Sequence, residues 1–222
     1  MGQWLNLTAA DGFRLAAYRA DPEAPPRGGL IVVQEIFGVN RHIRAVCDGF
    51  AADGYAAIAP ALFDRSEPNV DLGYTPEEVA RGRELKARAG TDAALLDIAA
   101  AREAAATAGR VGIVGYCWGG YISWMSATRV AGLACAITYY GGGMTEAIAE
   151  RPQCPVMAHF GERDAAIPLA GVKQFAAAQP EVQVHLYPAE HAFNCDQRRG
   201  YDAASAQLAR ERTLAWLHRY VG

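Results

Sequence analysis

Gly115-Tyr116-Cys117-Trp118-Gly119-Gly120 follows the apolar run Val111-Gly112-Ile113-Val114 and precedes a helix-patterned segment. This is the G-x-S-x-G nucleophile elbow with sulfur in place of oxygen. The nucleophile of such an elbow sits in a strained turn, and glycines flank it because side chains there would not fit. The turn puts Cys117 at a helix N-terminus, where the positive end of the dipole favours thiolate. It also aims the Trp118 N–H at a developing oxyanion. Cysteine is among the most buried residue types, so Cys117 alone would read as structural. The paired glycines between strand and helix give the catalytic reading. No G-x-G-x-x-G occurs, which excludes a dinucleotide fingerprint.

A nucleophile in this elbow needs an acid and then a histidine, in that chain order. Phe160-Gly161-Glu162-Arg163-Asp164 follows a predicted strand, and His191 follows the last one, in Glu190-His191-Ala192-Phe193-Asn194. Both fall at the strand ends where open α/β sheets bind ligands. His159 and His185 lie inside strand patterns and read as core. His42 and His218 lie on helices. His191 and Cys195 could share a helical face, but two ligands do not make a metal site. No group has zinc spacing, so neither metal nor cofactor is expected. Glu35 directly follows a buried strand, where an unpaired carboxylate costs several kcal/mol. Two readings stay open for it: solvent or a structural arginine partner, or contact with the thiol to tune its protonation.

The elements that must hold these residues alternate. Trp4–Leu7 and Phe13–Tyr18 read as a β-ribbon around Asp11-Gly12. Strands follow at Leu30–Val33, Gly54–Ala59 (stopped by Pro60), Val111–Val114, Leu133–Tyr139, Pro155–Phe160 and Val182–Tyr187. Helices are predicted from Asn40 to about Asp53, near Pro76 and Thr91, from about Cys117, from Pro168, and from Tyr201 to Tyr220 with Leu214, Leu217 and Val221 as its apolar stripe. This order predicts one α/β domain over 1–222: a mostly parallel central sheet with helices on both faces. Asp64–Pro76 is the longest irregular stretch, either a site border or a plain surface excursion.

Bulk properties narrow the function classes. The 222 residues are 51% apolar and 20% charged, with formal net charge −3 and no basic block. Nucleic-acid and membrane-surface binding are therefore not expected. Five cysteines without a C-x-x-C pair do not make a disulfide framework. The N-terminal residues lack a signal core and fail the myristoylation pattern at Asn6. Val111–Thr128 lacks charge, but its glycines fit a strand–turn–helix better than a membrane span. A cytoplasmic enzyme is expected, as a monomer or small homo-oligomer.

Gln34-Glu35-Ile36-Phe37-Gly38-Val39-Asn40, Gly54-Tyr55, the Gly112–Gly120 segment, Tyr139-Tyr140-Gly141, the Asp164 loop and His191 through Tyr201 together resemble the dienelactone hydrolase (carboxymethylenebutenolidase) family of the α/β-hydrolase fold. The resemblance covers almost the whole chain and implies a Cys117–His191–Asp164 triad. It implies that Glu35 holds Cys117 as a neutral thiol at rest, and that the N–H groups of Ile36 and Trp118 form the oxyanion hole. The implied substrate is a lactone or small ester, opened through an acyl-enzyme. It further implies two arginines on a substrate carboxylate. Arg81 matches the first; Cys195 stands at the second, and Leu85 replaces a tyrosine one turn after Arg81. Tyr140 matches a further site tyrosine. A substrate less strictly carboxylate-bearing is therefore expected. The alternatives are a generic ester or thioester hydrolase, a non-catalytic binding module and a redox sensor using Cys117.

Overall fold

Among residues 2–222, which the computed structural model describes, the alternation resolves into eight strands and six α-helices. In chain order these are β1 (Gln3–Thr8), β2 (Arg14–Ala20), β3 (Gly29–Val33), α1 (Arg41–Ala52), β4 (Ala56–Pro60), α2 (Pro76–Ala89), α3 (Thr91–Ala105), β5 (Val111–Tyr116), α4 (Trp118–Arg129), β6 (Leu133–Tyr139), β7 (Val156–Gly161), α5 (Leu169–Ala178), β8 (Gln183–Tyr187) and α6 (Ala203–Tyr220).

All strands join one sheet in the order β1-β2-β4-β3-β5-β6-β7-β8. The β1–β2 and β2–β4 pairs are antiparallel and the rest parallel. Every residue of β3, β4, β5 and β7 is buried. Unbroken apolar runs are what a sheet covered on both faces requires. α3 packs on α4, and Trp124 of α4 meets Phe175 of α5 edge-on. Arg210 of α6 reaches the Gly49 carbonyl and Asp53 beside α1. Local chemistry sets the helix starts. Asn40 accepts the Ile43 N–H, Thr75 and Glu78 form a capping box with Pro76 behind it, and Asp202 accepts the Ser205 N–H.

The chain moves from β3 outward to β4, then returns to place β5 on the other side of β3. The carboxyl ends of β3 and β5 therefore flank the crevice where such sheets bind ligands. β4 starts two residues later than its apolar pattern suggests. Gly54 at φ 98° and the Tyr55 N–H, bonded to the Phe50 carbonyl, finish α1 instead. Pro60 ends β4 inside the ladder, opposite Ala17, beyond the last residue of β4 paired with β3. Its missing N–H costs nothing there.

The stretch after β4 is pinned down. Leu72 N–H donates to the Phe37 carbonyl, and Asn40 donates to the Leu72 carbonyl and the Tyr74 hydroxyl. It borders the crevice and is no plain excursion. At its start, Arg65 forms a clasp between Asp97 of α3 (2.8 Å) and Asp11 of the hairpin (2.7 Å), with the Asp97 side chain fully buried. No helix among the described residues is long and apolar enough to cross a membrane; Val111–Thr128 divides into β5 and α4.

Candidate active site

The β5–α4 turn is as tight as its glycines require. Cys117 has φ 54° and ψ −116°, a strained conformation for a residue with a side chain. A Cβ on Gly115 would lie 2.0 Å from the Gly119 carbonyl oxygen. One on Gly119 would lie 2.4 Å from the carbonyl oxygens of Val33 and Gln34. The elbow is thus pressed onto the end of β3. Trp118 is the first residue of α4, so its N–H has no intrahelical acceptor. The Ile36 N–H, in the turn after β3, makes no hydrogen bond among the described residues. Gln34 shapes that turn, accepting the Leu62 N–H and donating to the Glu35 carbonyl.

Two more strand ends complete the group. Asp164, in the turn after β7, accepts the N–H groups of Ala166 (2.8 Å) and Ile167 (3.2 Å) on Oδ1. Its Oδ2 lies 2.7 Å from His191 Nδ1, and His191 Nε2 lies 3.2 Å from Cys117 Sγ. The Asp164 side chain is 1% exposed and that of His191 22%. Burial disfavours a charged imidazole. The hydrogen bonds from Asp164 and Cys117 outweigh it and raise the His191 pKa to about 10. The segment 191–200 runs in turns rather than as a helix, with Ala192 at φ 62° directing the chain away behind His191.

The remaining expected residues are placed less uniformly. Glu35 is 1% exposed, and its Oε1 accepts from Arg198 Nη1 at 3.3 Å. It makes no hydrogen bond to Cys117, and Oε2 has no partner. Of the two open readings the structure displays the arginine pair. The Arg198 guanidinium lies over the rings of Phe37 and Tyr74, and a fixed cation attracts a carboxylate more strongly than a thiol does. Tyr140 is fully buried at φ 39°, its ring centroid 5.1 Å from that of His191 and its hydroxyl unpartnered. Arg81 turns away to Glu67 and Glu84. The α2 arginine that reaches the site is Arg83. With Tyr74, Arg163, His191, Arg198 and Arg199 it lines an open cleft of about 690 Å³. Arg83 and Tyr74 carry no motif, so nothing in the sequence singled them out.

The dienelactone hydrolase family profile matches residues 15–221. A provisionally named carboxymethylenebutenolidase of Synechocystis is 38% identical over 214 residues, covering 87% of each chain. The carboxymethylenebutenolidase of Pseudomonas putida is 31% identical over 224 residues, covering 96% of this chain and 94% of its own. The crystal structure of a provisionally named dienelactone hydrolase from Klebsiella pneumoniae superposes with a TM-score of 0.86 at 32% identity, covering 99% of this chain and all of the other. This chain is a hydrolase of esters or lactones and belongs to the dienelactone hydrolase family.

Proposed function

We propose that the enzyme opens lactones and small carboxylic esters by nucleophilic catalysis at Cys117. The observation that carries this reading is the unbroken relay Asp164–His191–Cys117, with contacts of 2.7 and 3.2 Å. His191 takes the thiol proton through Nε2, and Asp164 holds Nδ1–H and so fixes the tautomer. The thiolate adds to the substrate carbonyl, and the N–H groups of Trp118 and Ile36 receive the oxyanion. Collapse expels the ring or alkoxy oxygen and leaves an acyl-enzyme on Sγ. An enol lactone leaves as its enolate and needs no strong general acid.

The raised His191 pKa suits the first half-reaction, because imidazolium and thiolate stabilise each other. Acylation removes the sulfur's negative charge, so His191 loses one of the two partners that hold its proton, and its neutral form becomes available at Nε2. Water activated at Nε2 then attacks the thioester and frees the acid and the thiol. The cleft rim is cationic on balance, with exposed Arg83, Arg163 and Arg199 against Glu190, and takes neutral or anionic acyl groups. Solvated arginines contribute about 0–1 kcal/mol each, so a carboxylate gives a preference and not a requirement.

The test is a burst assay with a chromogenic acetate and a panel of lactones, beside Cys117→Ala. Rapid quenching and mass spectrometry should find the acyl group on Cys117. An adduct on Ser123 or Ser126, or steady turnover by Cys117→Ala, would overturn the assignment.

A further inference from the structure

Three other ligand-type side chains converge in the interior. Glu35 lies past the end of β3, His42 in the first turn of α1, and Cys195 in the segment after His191. One ligand atom from each lies within 4.8 Å of the others, and the residues are 1%, 4% and 0% exposed. Two atoms of this group are buried without any partner, Glu35 Oε2 and His42 Nε2. Leaving a buried polar atom unsatisfied costs about 1–3 kcal/mol, and the fold keeps two of them together. We propose that Glu35, His42 and Cys195 bind a thiophilic divalent cation of the Zn²⁺ class.

The donor chemistry fits. Carboxylate oxygen, imidazole nitrogen and thiolate sulfur are the three donor types Zn²⁺ takes, and three protein ligands leave a fourth position open. The Cys195 thiol donates to the Tyr74 hydroxyl at 3.4 Å; binding breaks that hydrogen bond, and the thiol proton goes to solvent as the sulfur takes the ion. Carboxylate and thiolate then balance the two positive charges, and the imidazole binds neutral. Donor atoms around a tetrahedral ion are about 3.3–3.8 Å apart, so the three side chains close in by about 1 Å. Arg198 need not leave. It holds Oε1, which leaves Oε2 for the ion, and its stacking on Phe37 and Tyr74 fixes it as an outer support. His42 has a second partner of its own. Nδ1 faces Asp196 Oδ1 at 3.7 Å, which presents Nε2 as the ligand atom. Asp196 is well exposed and shares a surface hollow with His42. An ion here fixes Glu35 in its Arg198-paired position, away from hydrogen bonding with Cys117.

The proposal does not depend on Cys117 being the nucleophile, and its test removes that thiol. Cys117→Ser protein is titrated with Co²⁺, read by the thiolate-to-metal charge-transfer absorption, and with Zn²⁺ in equilibrium dialysis and thermal melts. One ion per chain, a charge-transfer band and a Zn²⁺-dependent rise in Tm are expected. Adding Cys195→Ala should abolish the band. Adding His42→Gln, which leaves Cys195 in place, should weaken binding at least about tenfold. Melts without metal show whether each variant is folded. Absence of saturable uptake by Cys117→Ser, or uptake unaltered by both second substitutions in folded protein, would overturn the site and leave water as the partner of the two orphan atoms.

Discussion

Asp164→Asn should harm the enzyme more than Asp164→Ala, for a reason visible in the hydrogen bonds. Asp164 Oδ1 is pinned by two N–H donors, from Ala166 and Ile167. An asparagine must put its carbonyl oxygen there, which turns its NH₂ toward His191 Nδ1. Nδ1 must then accept, Nε2 carries the proton, and Nε2 can no longer take one from Cys117. An alanine leaves His191 free to adopt either tautomer. The charge effect adds to this. Raising His191 from 6.5 to about 10 is roughly 5 kcal/mol in favour of imidazolium. The part that Asp164 supplies is a hydrogen bond to a charged group, worth about 1.5–3 kcal/mol, roughly 10- to 150-fold. Asp164→Ala should therefore lose about 10²-fold in kcat/KM, and Asp164→Asn should lose more, toward 10⁴-fold. The assay is kcat/KM on a chromogenic acetate, with iodoacetamide trapping of Cys117 and a melt of each variant. If folded Asp164→Asn is as active as folded Asp164→Ala, the tautomer argument is wrong.

Further outcomes follow from other contacts. Gly119→Ala should lower Tm and kcat together, since its methyl collides with two carbonyl oxygens of the β3 end and overpacking costs about 1–3 kcal/mol; unchanged kcat would mean the elbow does not press on that turn. Asp97→Ala strips the buried partner from Arg65, which keeps Asp11, so a loss of about 3 kcal/mol is expected. In a chain of this size that is a fall in Tm of roughly 6–12 °C, read by calorimetry. His191 has a folded pKa above its unfolded one, so its contribution to stability is complete below about pH 6.5 and is lost as pH rises toward about 10. Wild-type Tm should fall more steeply over that window than that of His191→Gln, and parallel curves would refute the shift. Arg83→Ala and Arg199→Ala should each reduce the kcat/KM preference for a carboxylated lactone over its neutral analogue by about 2- to 5-fold. A preference of several orders of magnitude, insensitive to both, would place the carboxylate elsewhere.

Much of the sheet is legible because buried parallel strands leave continuous apolar runs and a cap such as Asn40 leaves a single residue at a known offset. Tyr201 reads as helical because nothing in its type opposes helix; Asp202, as the cap, sets the start at Ala203. The relay was legible for another reason. An elbow constrains glycine positions, and chain order constrains where acid and base can follow. Arg81 shows where this stops. A Cβ on Gly82 would lie 2.2 Å from the Ile36 carbonyl oxygen, so α2 meets that turn through Gly82, and its neighbours 81 and 83 leave on opposite sides. The two-residue step from 81 to 83 rotates the side chain by about 200°, which no motif spacing could settle. The Glu35–Arg198 pair joins residues 163 positions apart and has no local signature at all.

The relay draws on three strand ends, with Cys117 and His191 74 positions apart and Asp164 and His191 27 apart. In the mechanism proposed above, a chain made from its N-terminus completes the elbow long before the imidazole that activates it exists. Until the loop after β8 docks, Cys117 has neither base nor orienter, and a thiol without a neighbouring cation reacts slowly. The newly made chain therefore carries an unarmed nucleophile through the period when its apolar strands are most exposed to other molecules. During refolding, recovery of thiol reactivity reports the closing of the last parallel strand and not the formation of the elbow itself.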